Sequence, residues 1–157
     1  MSTYSRHSSQ TLPENWDKGA VTVLVASNFH SIAYDRQKHV LVKFYAPWCG
    51  QCRLMAPMYN QLGKMYRHRE DIVIAKYDGS KNELPVYITG YPTLKLFRKG
   101  DNRVIDYTGP RKLRNLMAFI NYFDQSEQSS LNVDDSRSRQ SSDSRSRDNG
   151  CKGCIII

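Results

Sequence analysis

The 157-residue sequence has no long hydrophobic run. No stretch approaches the ~18 apolar residues of a membrane-spanning helix, so a transmembrane protein is not expected. The opening Met1-Ser2-Thr3-Tyr4-Ser5-Arg6-His7 lacks the apolar core of a secretory signal. Position 2 is Ser where myristoylation needs Gly, and the last residues are not a KDEL-type retention signal. Asn-x-Ser/Thr acceptor sites are also missing. Together these absences make the cytosol the expected compartment, where thiols stay reduced and lasting disulfides are rare. Cysteine is scarce, four in all, and no His pair has metal-ligand spacing, so a metal site is not expected.

Acidic residues are in deficit, 15 against 23 Lys+Arg, for a net charge of +8. Residues 1–124 hold 18 basic and 10 acidic side chains, whereas residues 125–157 hold five of each. The excess is spread too thinly for a nucleic-acid stripe, so no specific nucleic-acid partner is expected. Residues 125–157 contain nine serines and seven apolar residues, four of them the last four. Too little apolar surface is available there to offset the entropy of ordering, which predicts a disordered tail. The expected organisation is a loose arm over 1–14, one folded domain over 15–124, and the tail over 125–157.

Within that domain, Val21–Val25 predicts a first strand, and Ser27 or Asn28 can cap a short helix to Asp35. Val40–Tyr45 is rich in β-formers. Arg53–Arg67 has helical composition, with Leu54, Met58, Leu62 and Met65 at helical spacing and a kink expected at Pro57. Ile72–Tyr77 predicts a buried strand and Leu84–Ile88 a short helix. Thr93–Arg98 alternates as a half-buried strand, with Arg103–Tyr107 as its hairpin partner across the 99–102 turn. Leu113, Leu116, Met117, Ile120 and Phe123 line one face of a last helix. The order β-α-β-α-β-α-β-β-α predicts an α/β layered fold.

Cys49-Gly50-Gln51-Cys52 follows a strand and precedes a helix, the setting in which C-x-x-C indicates redox chemistry. A cysteine at a helix N-terminus faces free backbone N–H groups and the positive end of the dipole, which favour the thiolate and lower its pKa from ~8.5 to ~4–7. Cys49 can then attack a disulfide and Cys52 can displace the product. A zinc half-site and a purely structural pair are the alternatives. A structural zinc needs four ligands, and the other C-x-x-C, Cys151/Cys154, lies in the tail.

Phe44-Tyr45-Ala46-Pro47-Trp48-Cys49-Gly50-Gln51-Cys52 closely resembles the active-site stretch of protein disulfide isomerase-type domains of the thioredoxin superfamily. Tyr91-Pro92-Thr93-Leu94-Lys95-Leu96-Phe97 is similar to the cis-proline loop of that family. Leu12–Asp17 and Val104–Gly109 resemble segments of the last catalytic domain of such proteins, so the likeness covers roughly residues 12–123. It implies a thioredoxin fold, with a central mixed sheet flanked by helices on both faces, and thiol–disulfide oxidoreductase activity on protein substrates. It also implies no cofactor beyond a redox-active Cys49–Cys52 disulfide, and recycling by a reductant such as glutathione or a reductase. By the same resemblance Cys49 attacks, Cys52 resolves from a buried position, and Trp48 and Gly50 frame the turn. Tyr91 and a cis Pro92 would face an extended substrate strand. Arg111 matches an arginine that can approach the resolving cysteine; without the family it is simply an exposed first-turn residue.

The sequence departs from the family at two positions. Gln51 replaces a customary His, whose protonated form stabilises the neighbouring thiolate and so the reduced state. Without that charge a lower reduction potential is expected. Lys43 stands where the family places a buried acid, and Lys76 where that acid has its lysine partner. Two buried ammonium groups repel, so at least one pKa should fall. A neutral Lys43 amine can accept the Cys52 proton, a charged one can lower that thiol's pKa, or the amine can tilt to solvent and relay nothing.

Cys154-Ile155-Ile156-Ile157 fits a C-a-a-X prenylation signal, and its bulky last residue favours geranylgeranyl. Cys151 offers a second lipidation site, and Arg137, Arg139, Arg145, Arg147 and Lys152 can assist at an anionic leaflet. A chance cysteine, a second redox pair and an RNA-binding tail built on the repeated Asp-Ser-Arg-Ser-Arg (135–139 and 143–147) are the alternatives. The expectation is a lipid-anchored oxidoreductase on the cytoplasmic face of a membrane. A membrane-anchored binding module and an endoplasmic-reticulum isomerase are the competing readings.

Overall fold

A computed structural model describes residues 9–138. The chain divides into two compact units at the Asp124/Gln125 boundary. In order, the elements are β1 (Thr22–Leu24), α1 (Ala26–Ala33), β2 (His39–Tyr45), α2 (Gly50–Tyr66), β3 (Ile72–Asp78), β4 (Thr93–Phe97), β5 (Val104–Asp106) and α3 (Leu113–Ser138). The five strands form one sheet in the order β1-β3-β2-β4-β5. β3 runs parallel to both β1 and β2, while β4 is antiparallel to β2 and to β5. The sheet is therefore mixed, with β2 near its centre.

β2 is buried from His39 to Phe44, because both of its faces are covered. Alternate side chains enter two cores. Val40, Val42 and Phe44 join Ala75, Tyr77 and Phe97 beneath Phe29 and Ala33 of α1. Leu41, with Ile72, Ile74, Leu94 and Leu96, packs beneath Met55, Tyr59 and Leu62 of α2 and Leu116 and Ile120 of α3. The ring of Phe29 meets those of Tyr77 and Phe97 edge-on at 5.3 and 5.4 Å between centroids, which fixes α1 on its face. This is the α/β architecture, helices on both faces of a mixed sheet, that the resemblance implies.

The helical details differ from expectation in several places. α1 is capped at Val25 rather than at Ser27 or Asn28. Asn28 acts from inside the first turn, its Oδ1 accepting the Val25 N–H at 2.7 Å. α2 begins at Gly50 and continues through Pro57 as one helix. Its buried stripe is Cys52, Met55, Tyr59, Leu62 and Tyr66, whereas Leu54 is 77% exposed. The aromatic bodies of Tyr59 and Tyr66 outweigh the thinner Leu54/Met58/Met65 row. Residues 84–88 form no helix. Pro85 disfavours the helical region for Leu84, and Val86 and Ile88 instead pack from a loop against the α1-side core. α3 remains helical to Ser138, past the expected start of a disordered tail at 125. Extending an existing helix needs no new nucleation, so backbone order can outrun the apolar residues that anchor it.

Candidate active site

β2 ends at Tyr45, and the chain turns at once, the Cys49 N–H donating to the Ala46 carbonyl at 3.1 Å. α2 then starts at Gly50 with Cys49 as its N-cap, so Cys49 stands where the helix presents unpaired N–H groups. Its Sγ accepts the Cys52 N–H at 3.2 Å. Cys49 and Cys52 are joined as a disulfide, with Cα atoms 5.3 Å apart. Cys49 is 9% exposed and Cys52 2%. The Cys52 N–H that this sulfur caps can therefore stabilise negative charge on Cys49 once the bond is reduced. Cys49 keeps the larger exposure of the two, and Cys52 is almost wholly enclosed. Gly50 and Gln51 are exposed.

Around this pair the protein presents aromatic rings and a groove. Trp48 is 71% exposed and meets the Tyr91 ring edge-on at 6.0 Å. The Tyr91–Pro92 peptide is cis, and Pro92 is buried beside it. The exposed Arg111 donates from its guanidinium to the Pro92 carbonyl at 3.4 Å. It is thus held by the proline loop and is not part of the cavity that Cys52 lines. Tyr87, Tyr91, Pro92, Lys95, Tyr107 and Arg111 line a groove of about 490 Å³.

Lys43 is buried, 4% exposed. It lines a cavity of about 120 Å³ together with Cys52, Tyr45, Arg53 and Lys76. Its Nζ lies 4.8 Å from the centroid of the Tyr59 ring and 5.5 Å from that of Tyr45. Burial, and after it the charge of Lys76, lowers the Lys43 pKa from 10.5 to about 8. Burial also raises the Tyr59 hydroxyl well above its ordinary pKa, and that hydroxyl is directed at the Leu41 and Ala75 carbonyls at 3.0 and 2.6 Å.

The structure thus brings Cys49, Cys52, Trp48, Tyr91 and Pro92 into one neighbourhood, with Lys43 on the Cys52 side and Arg111 on the Pro92 side. Cys151 and Cys154 lie outside the described residues, as do Arg139, Arg145, Arg147 and Lys152. Among the described residues no group of three or more His, Cys, Asp or Glu could hold a metal, and no helix is long and apolar enough to cross a membrane. Sequence reasoning missed Tyr59, whose ring sits against Lys43. The signal was available, since Tyr59 falls on the 52–55–59–62–66 helical period once tyrosine is counted as apolar.

Comparison with known proteins agrees with this geometry. The thioredoxin family model matches residues 20–122. A protein disulfide-isomerase of Drosophila melanogaster is 55% identical over 113 residues, covering 71% of this chain and 23% of that protein. A protein disulfide-isomerase of Gallus gallus is 52% identical over 114 residues, covering 71% of this chain and 22% of that one. The chain therefore spans under a quarter of the length of these relatives. Among solved structures, the first thioredoxin domain of mouse protein disulfide-isomerase A4 superposes with a TM-score of 0.58 at 28% identity, covering 78% of this chain and 84% of that one. Fold, redox pair and family match coincide over the same residues, and the chain belongs to the thioredoxin family.

Proposed function

We propose that this protein is a thiol–disulfide oxidoreductase of the protein disulfide isomerase type, acting on protein disulfides. The observation that carries this reading is the asymmetry of the pair, Cys49 at the helix N-cap and Cys52 buried one turn on. The Cys49 thiolate attacks one sulfur of a substrate disulfide and expels the other as a thiolate. Cys52 then attacks the Cys49 sulfur of the mixed disulfide, closing the Cys49–Cys52 bond and releasing the second substrate thiolate. The substrate gains two electrons and the enzyme loses them. Glutathione or a reductase restores the dithiol. Trp48, Tyr91 and Pro92 supply an apolar, partly exposed rim on which an extended substrate segment can lie while exchange proceeds.

The proposal includes a membrane tether, prenylation at Cys154 with Cys151 as a second lipid site, which would hold the enzyme on the cytoplasmic face. Its support is the Cys154-Ile155-Ile156-Ile157 pattern. The groove of about 490 Å³ beside Pro92 favours a second reading, a binding module that holds partners with little turnover. An endoplasmic-reticulum isomerase is the alternative for location. Insulin-disulfide reduction separates enzyme from module: wild type turns over, Cys49→Ser loses turnover, and Cys52→Ser accumulates mixed disulfide. Equal partner binding by Cys49→Ser with no wild-type turnover would favour the module. Release of the protein from membranes by Cys154→Ser supports the lipid, and unchanged partitioning contradicts it.

A further inference from the structure

The small cavity bounded by β2, β3 and the first turns of α2 brings one thiol and one buried amine to the same space. Cys52 and Lys43 both line it, and its volume of about 120 Å³ is enough for water. A proton can therefore pass between them directly or over one water. The other titratable groups facing this space do not compete as acceptors. Arg53 and Lys76 line it as donors. Burial raises the pKa of Tyr45 first, and Asp78 raises it further. The Tyr59 hydroxyl is committed to backbone carbonyls. Leu94, opposite Lys43 on β4, is apolar. Asp78 stands on the same face of β3, two residues beyond Lys76, but its Oδ1 is engaged by the Ser80 N–H at 2.9 Å and hydroxyl at 2.6 Å. No carboxylate lines the cavity.

We propose that Lys43 is the proton acceptor for the resolving cysteine, its neutral amine taking the Cys52 thiol proton as Cys52 closes the mixed disulfide. The inference rests on the exchange reading above and assigns the step that reading leaves open. The proton moves from Cys52 Sγ to Lys43 Nζ. The Cys52 thiolate then forms the bond to Cys49 Sγ and breaks the Cys49–substrate bond, whose electron pair leaves on the substrate sulfur. The dithiol is oxidised and the substrate disulfide reduced by the same two electrons. The new Lys43 ammonium faces the Tyr59 ring and passes its proton to solvent or to the departing thiolate. Burial and the Lys76 charge hold the amine near a pKa of about 8, close to that of an ordinary thiol, so transfer in either direction is nearly balanced.

The test uses the full chain, with glutathione disulfide as the probe and rapid acid quenching to count the mixed disulfide. Attacking and resolving rates are measured across the pH range on both sides of 8 in wild type and in Lys43→Met, which keeps a buried apolar side chain. The expected result is a resolving rate that falls about a hundredfold relative to the attacking rate, with loss of the wild-type inflection near pH 8. An unchanged ratio and profile overturn the proposal. Should Lys43→Met fail to fold, NMR titration of the Lys43 amine in wild type decides. A higher midpoint in the dithiol form than in the disulfide form supports proton sharing with Cys52, and equal midpoints overturn it. Wild type that forms no mixed disulfide overturns the exchange reading itself, and this assignment with it. Wild type that turns over normally beside a Lys43→Met variant of identical profile overturns the assignment alone.

Discussion

Cys49 and Cys52 are chemically the same residue, and their different roles come from position. Cys49 caps α2 and keeps some exposure, while Cys52 is almost fully enclosed and lines a cavity shared with the Lys43 amine. Between them Gln51 is exposed and uncharged, so it adds nothing to the field that stabilises the Cys49 thiolate. Replacing it with His places a group of pKa ~6.5 next to that sulfur. Its protonated form favours the thiolate, hence the reduced state, and makes the disulfide a stronger oxidant. Gln51→His is expected to raise the reduction potential by about 30 mV, equivalent to about 1.4 kcal/mol for a two-electron couple, with the larger shift at the more acid pH. Equilibration against glutathione buffers measures it. A potential that stays the same or falls would show that charge at position 51 does not govern this pair.

At the scale of elements, β2 and α2 make the site by meeting at a four-residue turn, and α2 must be held firmly for its N-terminus to stay in place. Gly63 near its far end does this by close approach. A Cβ added there would collide with the backbone carbonyl of Ala20. Gly63→Ala gains up to about 1 kcal/mol of helix propensity, yet the colliding atom is backbone and cannot rotate away. A net loss of about 1–3 kcal/mol is expected, read from chemical denaturation; a stabilised variant would show that the α2–Ala20 contact is loose. These elements were legible to different degrees. β2 and β3 follow from runs rich in β-branched and aromatic residues, β4 from its alternation, and α3 from its Leu113–Phe123 stripe. The missing helix at 84–88 was not, because a five-residue apolar stretch carries no period long enough to separate helix from loop, and Pro85 decided it. The buried face of α2 was misread for a related reason. Leu54 and Met65 looked like core, but the protein buries tyrosines there and leaves those two at the surface.

For the molecule as a whole, a largely buried redox pair sits where the central strand β2 gives way to α2, in a sheet covered on both faces, and the basic excess belongs to residues 1–124. The redox pair and the proline loop were visible in the sequence because each depends on residues close in the chain. Lys43 could be set beside Cys52 only through the family resemblance, and its cavity depends on β2–β3 register and the docking of α2; the Arg111–Pro92 contact, between residues 19 apart, was not visible. Everything functional rests on Cys49 being activated by the start of α2. The direct measurement is the alkylation rate of reduced Cys49 by iodoacetamide at neutral pH, with Cys52, Cys151 and Cys154 replaced by Ser. A helix-capping thiolate is expected to react about tenfold or more faster than free cysteine under the same conditions. A rate equal to or below that of free cysteine would contradict the account.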